Sequence, residues 1–377
     1  MRMKSKALAG RGRLELDTPC LALDLDLLDA NLRNMQARVR AGNKILRPHA
    51  KTHKCSKLAR RQIEAGAPGL CAAKVSEAEA LVRAGLRNIL VTGPVVTSEK
   101  IRRLAGCREA DPKLAVVLDD FENARALNAA MAGSGQKLDV LVDVDVGLGR
   151  TGVPPERAGE LARKVMEQPN LRFRGIQAYA GHVQHIRDHA LRRAESLACM
   201  APAAEAVRAL RAAGAECEVL SGAGTGTFDC DLEIPELTEL QAGSYAVMDA
   251  EYMAIGSASN PDRFDEFKPA LTLFTTVVSA NQAGFVTLDA GLKAVYQHGG
   301  RPYPVSGRDS GSTYDWFGDE YGRLTFAAGA RQPRVGDVVE LVVSHCDPTI
   351  NLHDEFMVTR NGRVVDAWPI DLRGCCR

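Results

Sequence analysis

Between residue 44 and about residue 245 the chain repeats one pattern. A short, almost unbroken apolar run is followed by a polar break, then by a stretch with apolar positions every three or four residues. The runs are KILRP (44–48), GLCAA (69–73), NILVT (88–92), KLAVVLD (113–119), DVLVDVD (139–145), RGIQAY (174–179), CEVLS (217–221) and TELQA (238–242). Unbroken runs fit strands buried on both faces, as in a parallel sheet. The stretches between them, such as SEAEALVRAG, NARALNAAMAG and ARKVMEQ, predict helices; the first opens on a Ser-x-x-Glu-like cap at Ser76 and closes on glycine. Eight such units predict a (β/α)8, TIM-like barrel.

After residue 270 the helical period fades. LTLFTTVVSA, GFVTLDAG, RLTFAA, DVVELVVSH, EFMVTR and RVVDAWPI have strand composition, with Asn361-Gly362 as a hairpin turn between the last two. This predicts a mostly β C-terminal domain. The early strand TPCLALDLD (18–26) precedes the barrel units and is expected to pair with that domain, a helix over 27–40 leading on into the barrel. The expected organisation is a 1–26 segment packing with the β domain, a barrel over 27–265 and a β domain over 266–377.

Composition narrows the function. Lys plus Arg is 48 against 47 Asp plus Glu, which gives no electrostatic reason for a nucleic-acid or membrane partner. The basic start MRMKSKALAGRGR has no apolar stretch behind it, so no signal peptide is expected, and no run is long enough for a transmembrane helix. The ten cysteines are scattered, with no CxxC pair; reduced thiols in a cytoplasmic enzyme are expected.

Chemistry is expected where the barrel strands end. The first ends in RPHAKTHK, with Lys51 at its centre; the fifth in DVDVGLGRTG, with Asp143, Asp145 and Arg150; the sixth in QAYAGHVQH, with Tyr179, His182 and His185; the seventh in SGAGTGT. The run Gly222, Ala223, Gly224, Thr225, Gly226, Thr227 lets backbone N–H groups approach an anion, although such a run standing alone reads equally well as a mobile loop. A strand-end lysine together with a phosphate cradle is what pyridoxal phosphate requires. In SHCDPTINLHD, read as the end of a strand, His345 and Asp347 would share a face with Cys346 opposite. Imidazole plus carboxylate suits Mn2+, Mg2+ or Zn2+, while a plain hydrogen-bonded pair is the commoner use of such a spacing. His353 and Asp354 repeat the pairing nearby and read as loop or supporting residues.

TPCLALDLD, LRPHAKTHK, KVSEAEALVRAG, VDVDVGLGRTGV, QAYAGHVQH, GAGTGT, ELQAGSYAVMD and SHCDPTINLHD together resemble the D-threonine aldolase family of alanine-racemase-type pyridoxal phosphate enzymes, in order from about residue 17 to residue 373. The resemblance implies Lys51 as the Schiff-base lysine and His185 as the catalytic acid–base. It implies Arg150, Tyr179, Gly222, Ala223, Gly224, Thr225, Gly226, Ser244 and Tyr245 around the cofactor, and His345 and Asp347 as metal ligands. Ala223 stands where a glycine is expected, and His182 follows Ala180, where some relatives have histidine. Asp347 in place of a cysteine points to Mn2+ or Mg2+ and to the aldolase branch. The implied reaction cleaves a D-β-hydroxy-α-amino acid to glycine and an aldehyde in a homodimer. A D-serine or D-3-hydroxyaspartate dehydratase, a 3-hydroxy-D-aspartate aldolase and a pyridoxal-phosphate homeostasis protein are the alternatives.

Overall fold

The computed structural model describes residues 10–12, 15–305, 311–327, 329 and 331–377. They divide into two compact units. One comprises Met35–Lys51, Ser56–Gly243 and Gly374–Arg377; the other comprises the described residues up to Asn34, Thr52–Cys55 and Ser244–Arg373. The second unit therefore takes up the chain at Ser244, not at the expected 265/266 boundary.

The first unit is an eight-stranded parallel barrel. After β1 (Cys20–Asp24), which belongs to the other unit, its strands are β2 (Ile45–Leu46), β3 (Leu70–Ala72), β4 (Ile89–Val91), β5 (Ala115–Leu118), β6 (Leu138–Val144), β7 (Leu171–Ala178), β8 (Val219–Gly222) and β9 (Glu239–Leu240). They pair in the order β2-β9-β8-β7-β6-β5-β4-β3. The ring closes through a parallel bridge between His49 and Cys71, where Ala50 N–H donates to Cys71 O and Cys71 N–H to Pro48 O, each at 2.9 Å. All eight predicted strands are present, and most of the apolar runs are buried as predicted: every residue of β6 is buried, although Ile45 of β2 is exposed. Cys71, Leu90, Val117 and Leu141 form one packed cluster of the interior.

Helix starts follow local chemistry. Asp120 caps Phe121–Ala130 by accepting from Asn123 N–H at 3.0 Å, and Asp188 caps His189–Ala212 by accepting from Leu191 N–H at 2.7 Å. The expected Ser76 cap is not made. That helix begins at Val75, and Glu77 folds back to accept from Ala73 N–H at 2.7 Å while Ser76 Oγ donates to Arg377 O. Glu79, the acid of the expected pattern, instead pairs with Arg103, and no capping box forms because the helix starts before the serine.

In the second unit β1 lies between β10 (Leu271–Ser279), antiparallel, and β16 (Glu355–Arg360), parallel, so the early strand does join the C-terminal sheet. β11 (Phe285–Leu288), β14 (Gly322–Phe326), β15 (Val338–Val342) and β17 (Arg363–Pro369) match predicted strands; β12 (Tyr303–Pro304) and β13 (Ser312–Trp316) were not predicted. β13 was hidden by its polar composition: only Tyr314 of its five residues is buried. Tyr314 joins Val277, Val286, Leu288, Leu324 and Leu341 in the core of this sheet. Asn361 and Gly362 have φ of 50° and 70°, the left-handed pair that a tight hairpin turn between β16 and β17 requires.

Candidate active site

The barrel strands are all parallel, so the residues that follow them gather at one end. Lys51 lies in the turn after β2, with its backbone N–H 3.4 Å from His49 Nδ1, while His49 Nε2 lies 3.0 Å from Thr92 Oγ1. Arg47 and His53 of RPHAKTHK have structural duties. Arg47 Nε is 3.1 and 3.0 Å from the two carboxylate oxygens of Glu239, and its Nη1 donates to Asn88 O at 2.7 Å. His53 is fully buried, its Nδ1 accepting from Cys55 N–H at 3.2 Å.

Beneath the mouth runs a polar chain, buried except at Thr151. Thr151 Oγ1 and Gln177 Nε2 donate to Asp143 at 2.7 and 2.9 Å, and Gln241 Nε2 donates to Gln177 Oε1 at 3.0 Å and to Ser221 Oγ at 2.8 Å. Burial raises the Asp143 carboxyl above its ordinary value, the two donors working against it. Asp145 instead ties its own loop, accepting from Gly147 and Gly149 N–H at 3.0 Å each. Arg150 stacks over the Tyr179 ring at 5.8 Å, as expected of two neighbours at the mouth.

Every residue from Ser221 to Thr227 is buried, so the run is a packed element of the barrel rather than an open loop. Its conformation is set by Gln184, a residue that the sequence pattern gave no reason to single out. Gln184 Oε1 accepts from Gly226 N–H at 3.0 Å, and its Nε2 donates to Thr227 Oγ1 at 2.9 Å and to Ala180 O at 3.2 Å. A Cβ on Gly226 would come within 2.0 Å of Gln184 O. Fully buried Arg192 donates from Nε to Gly226 O at 2.7 Å. Asp231 accepts from Thr227 Oγ1 at 2.5 Å and from Ser196 Oγ at 2.6 Å; burial, outweighing these two bonds, raises its carboxyl to about 6. Ala223 sits at φ 65°, a left-handed conformation more natural to the glycine expected there.

His185 lies in the turn after Gly181–Val183, with its Nε2 buried. His182 is exposed; its Nε2 is 3.5 Å from Cys199 Sγ and its ring faces Gly147.

In the second unit the predicted strand through His345 stops at Val342, and Cys346–Ile350 is a helix. The two-residue face argument therefore fails. Cys346 does not point away from His345: the donor atoms of Asp249, His345 and Cys346 all lie within 4.8 Å of one another. Asp249 is the residue that sequence reasoning missed. Its Oδ2 is 3.0 Å from His345 Nδ1 and accepts from Cys346 N–H at 2.9 Å, while its Oδ1 accepts from Tyr252 N–H at 2.9 Å. Glu251 Oε2 is a further 3.3 Å from His345 Nδ1. Burial alone would lower the His345 pKa, but the hydrogen bond and charge of Asp249, with Asp347 and Glu251 beyond, raise it to about 9. With Nδ1 turned to a carboxylate, Nε2 is the ring atom left for a metal, the usual arrangement of a metal-ligating histidine. Asp347 stands in the first turn of the short helix. His353 donates to Ala294 O at 2.8 Å and Asp354 pairs with Arg373, so neither supports His345 directly. Ser244 and Tyr245 begin the last stretch of this unit; Tyr245 packs edge-on against Phe267.

An all-parallel barrel with a lysine after its first strand and a packed glycine run after its seventh defines the alanine-racemase class. The family model "Alanine racemase, N-terminal domain" matches residues 23–251, and "Putative serine dehydratase domain" matches residues 270–359. A D-threonine aldolase of Arthrobacter sp. is 41% identical over 363 residues, 96% of this chain and 94% of that one. A 3-hydroxy-D-aspartate aldolase of Paracoccus denitrificans (strain Pd 1222) is 40% identical over 98% of this chain and 95% of its own. The crystal structure of D-threonine aldolase from Filomicrobium marinum superposes with a TM-score of 0.93 at 38% identity, covering 98% of each chain. The chain belongs to the D-threonine aldolase family of alanine-racemase-type, pyridoxal-phosphate-dependent enzymes. It is a carbon–carbon lyase. Among the described residues no helix is long and apolar enough to cross a membrane.

Proposed function

We propose that this enzyme cleaves D-β-hydroxy-α-amino acids of the D-threonine type to glycine and an aldehyde. Pyridoxal phosphate is held by Lys51 and the Gly222–Thr227 run, with Arg150 and Tyr179 beside it; a divalent cation is held by His345 with Asp347. The observation that carries this reading is the placement of Lys51 and a buried, side-chain-poor backbone at the same end of one parallel barrel. An amine there suits an aldehyde, and backbone N–H groups suit a phosphate. When bound, the cofactor supplies an electron sink for the carbanion left by carbon–carbon cleavage, and the cation supplies Lewis acidity at an oxygen.

The rest falls to the chain. Gln184, Arg192 and Asp231 hold the glycine run in one conformation before any ligand arrives. His185, an imidazole with a buried Nε2, takes the proton of the β-hydroxyl. Asp249 orients His345, and the carboxylates of Asp249, Glu251 and Asp347 around that ring favour Mn2+ or Mg2+. A homodimer acting on a small-molecule substrate belongs to the same reading. The test is product analysis on D- and L-forms of threonine, phenylserine and 3-hydroxyaspartate, with and without added Mn2+. Glycine plus an aldehyde from the D-forms alone is the expected result. An oxo acid plus ammonia would make the enzyme a dehydratase and overturn the proposal.

A further inference from the structure

The barrel unit holds a second group of metal-binding side chains. His189 opens the helix His189–Ala212, and Asp229 and Cys230 lie in the short helix Phe228–Asp231 that follows the glycine run. His189 Nε2 is 2.9 Å from Asp229 Oδ2. Cys230 Sγ is 3.8 Å from that nitrogen and 3.6 Å from Asp229 Oδ1. An ion bonded at about 2.0–2.1 Å to nitrogen and oxygen and about 2.3 Å to sulfur has tetrahedral edges of roughly 3.3–3.6 Å. The nitrogen–sulfur edge already approaches this; the oxygen near sulfur is Oδ1 and the one bonded to nitrogen is Oδ2, so the carboxylate must turn to offer one oxygen to both, within a set whose donor atoms, one from each residue, all lie within 4.8 Å of one another. The side chains of His189 and Asp229 are 18% and 11% exposed, so an ion can arrive with a water as its fourth ligand.

We propose that His189, Asp229 and Cys230 form a second cation site, built for a borderline-soft divalent ion of the zinc class. A thiolate with an imidazole selects zinc or cobalt over magnesium or manganese. Binding releases the thiol proton to solvent. Burial, with the charges of Asp229 and Asp231, pushes the Cys230 pKa up against the opposing Arg192, so the thiol keeps its proton until an ion displaces it, and the same acidic charges favour an arriving cation. The position gives the ion a consequence. His189 is four residues past His185, and Asp229 comes just after Thr227. An ion here fastens the turn carrying His185 to the end of the glycine run, replacing one hydrogen bond by three coordinate bonds.

The experiment uses the full-length holoenzyme, stripped with a chelator and dialysed against micromolar zinc, with metal analysis and zinc X-ray absorption as readouts. The His345→Asn variant, with the other corner disabled, is expected to retain one equivalent of zinc with a sulfur neighbour. Adding either Cys230→Ser or His189→Asn to that variant is expected to remove the equivalent while the cofactor absorbance persists. Using two different second substitutions guards against one of them simply failing to fold. No zinc in His345→Asn, zinc without a sulfur neighbour, or full retention in both double variants would each overturn the proposal. The outcome is independent of which substrate the enzyme cleaves.

Discussion

In the barrel unit, every residue assigned to the cofactor lies at the end of a strand of one parallel sheet or within a few positions after it. In the second unit, the group around His345 depends on Asp249, 96 positions away in sequence. The barrel mouth is thus built by repetition: eight similar units each deliver their last residues to the same end, and the geometry is inherited from the sheet. The His345 corner is built by a long-range contact between a buried carboxylate and a strand-to-helix junction. The first arrangement tolerates local change at one strand end. The second concentrates its precision in a few hydrogen bonds.

The comparison can be broken most sharply at Lys51. Lys51→Ala should lower turnover by several orders of magnitude and leave no protein-bound cofactor to be trapped by borohydride. A trapped cofactor on another lysine would remove the barrel mouth from the chemistry. His185→Asn should slow cleavage about 10²- to 10⁴-fold with cofactor absorbance unchanged. Wild-type rates would assign the proton transfer elsewhere.

Asp249→Asn should weaken divalent-metal affinity about 10- to 100-fold, measured by chelator competition, because the His345 ring loses its orienting carboxylate. The same pair makes a pH prediction for chelated protein. The folded chain raises the His345 pKa from 6.5 to about 9, so the stabilisation is complete below 6.5 and is lost as pH rises through about 9. It amounts to on the order of 3 kcal/mol. Denaturant midpoints of the metal-free enzyme should fall across that window in the wild type but not in Asp249→Asn. The smallest effect is at the glycine run: Ala223→Gly should raise stability by about 1 kcal/mol by relieving a left-handed alanine, read as a shift in thermal midpoint. A loss of stability there would mean the alanine methyl packs more favourably than its backbone is strained.

Much of the fold was legible because parallel strands buried on both faces leave unbroken apolar runs, and all eight appeared where those runs lie. Lys51 and the glycine run were legible for the same reason: each stands at the end of such a run. The failures have a common source. Ser76 looked like a cap, but the helix begins before it. The strand through His345 looked continuous, but the chain turns into a helix after a few residues, which brings Cys346 beside His345 instead of opposite it. Gln184 and Asp249 carried no local signal, since an isolated glutamine or aspartate has many uses and only its partners distinguish them.

The sequence by itself determined the barrel, the early strand's place in the C-terminal sheet, and which strand ends carry an amine, an imidazole and a glycine run. These depend on burial periodicity and on residue type, which are properties of neighbouring positions. Only the tertiary structure decided that Gln184 holds the glycine run, that Asp249 turns His345, and that His189 meets Asp229 and Cys230. Hydrogen bonds and donor sets depend on distances of a few ångströms between segments that the chain's order leaves far apart.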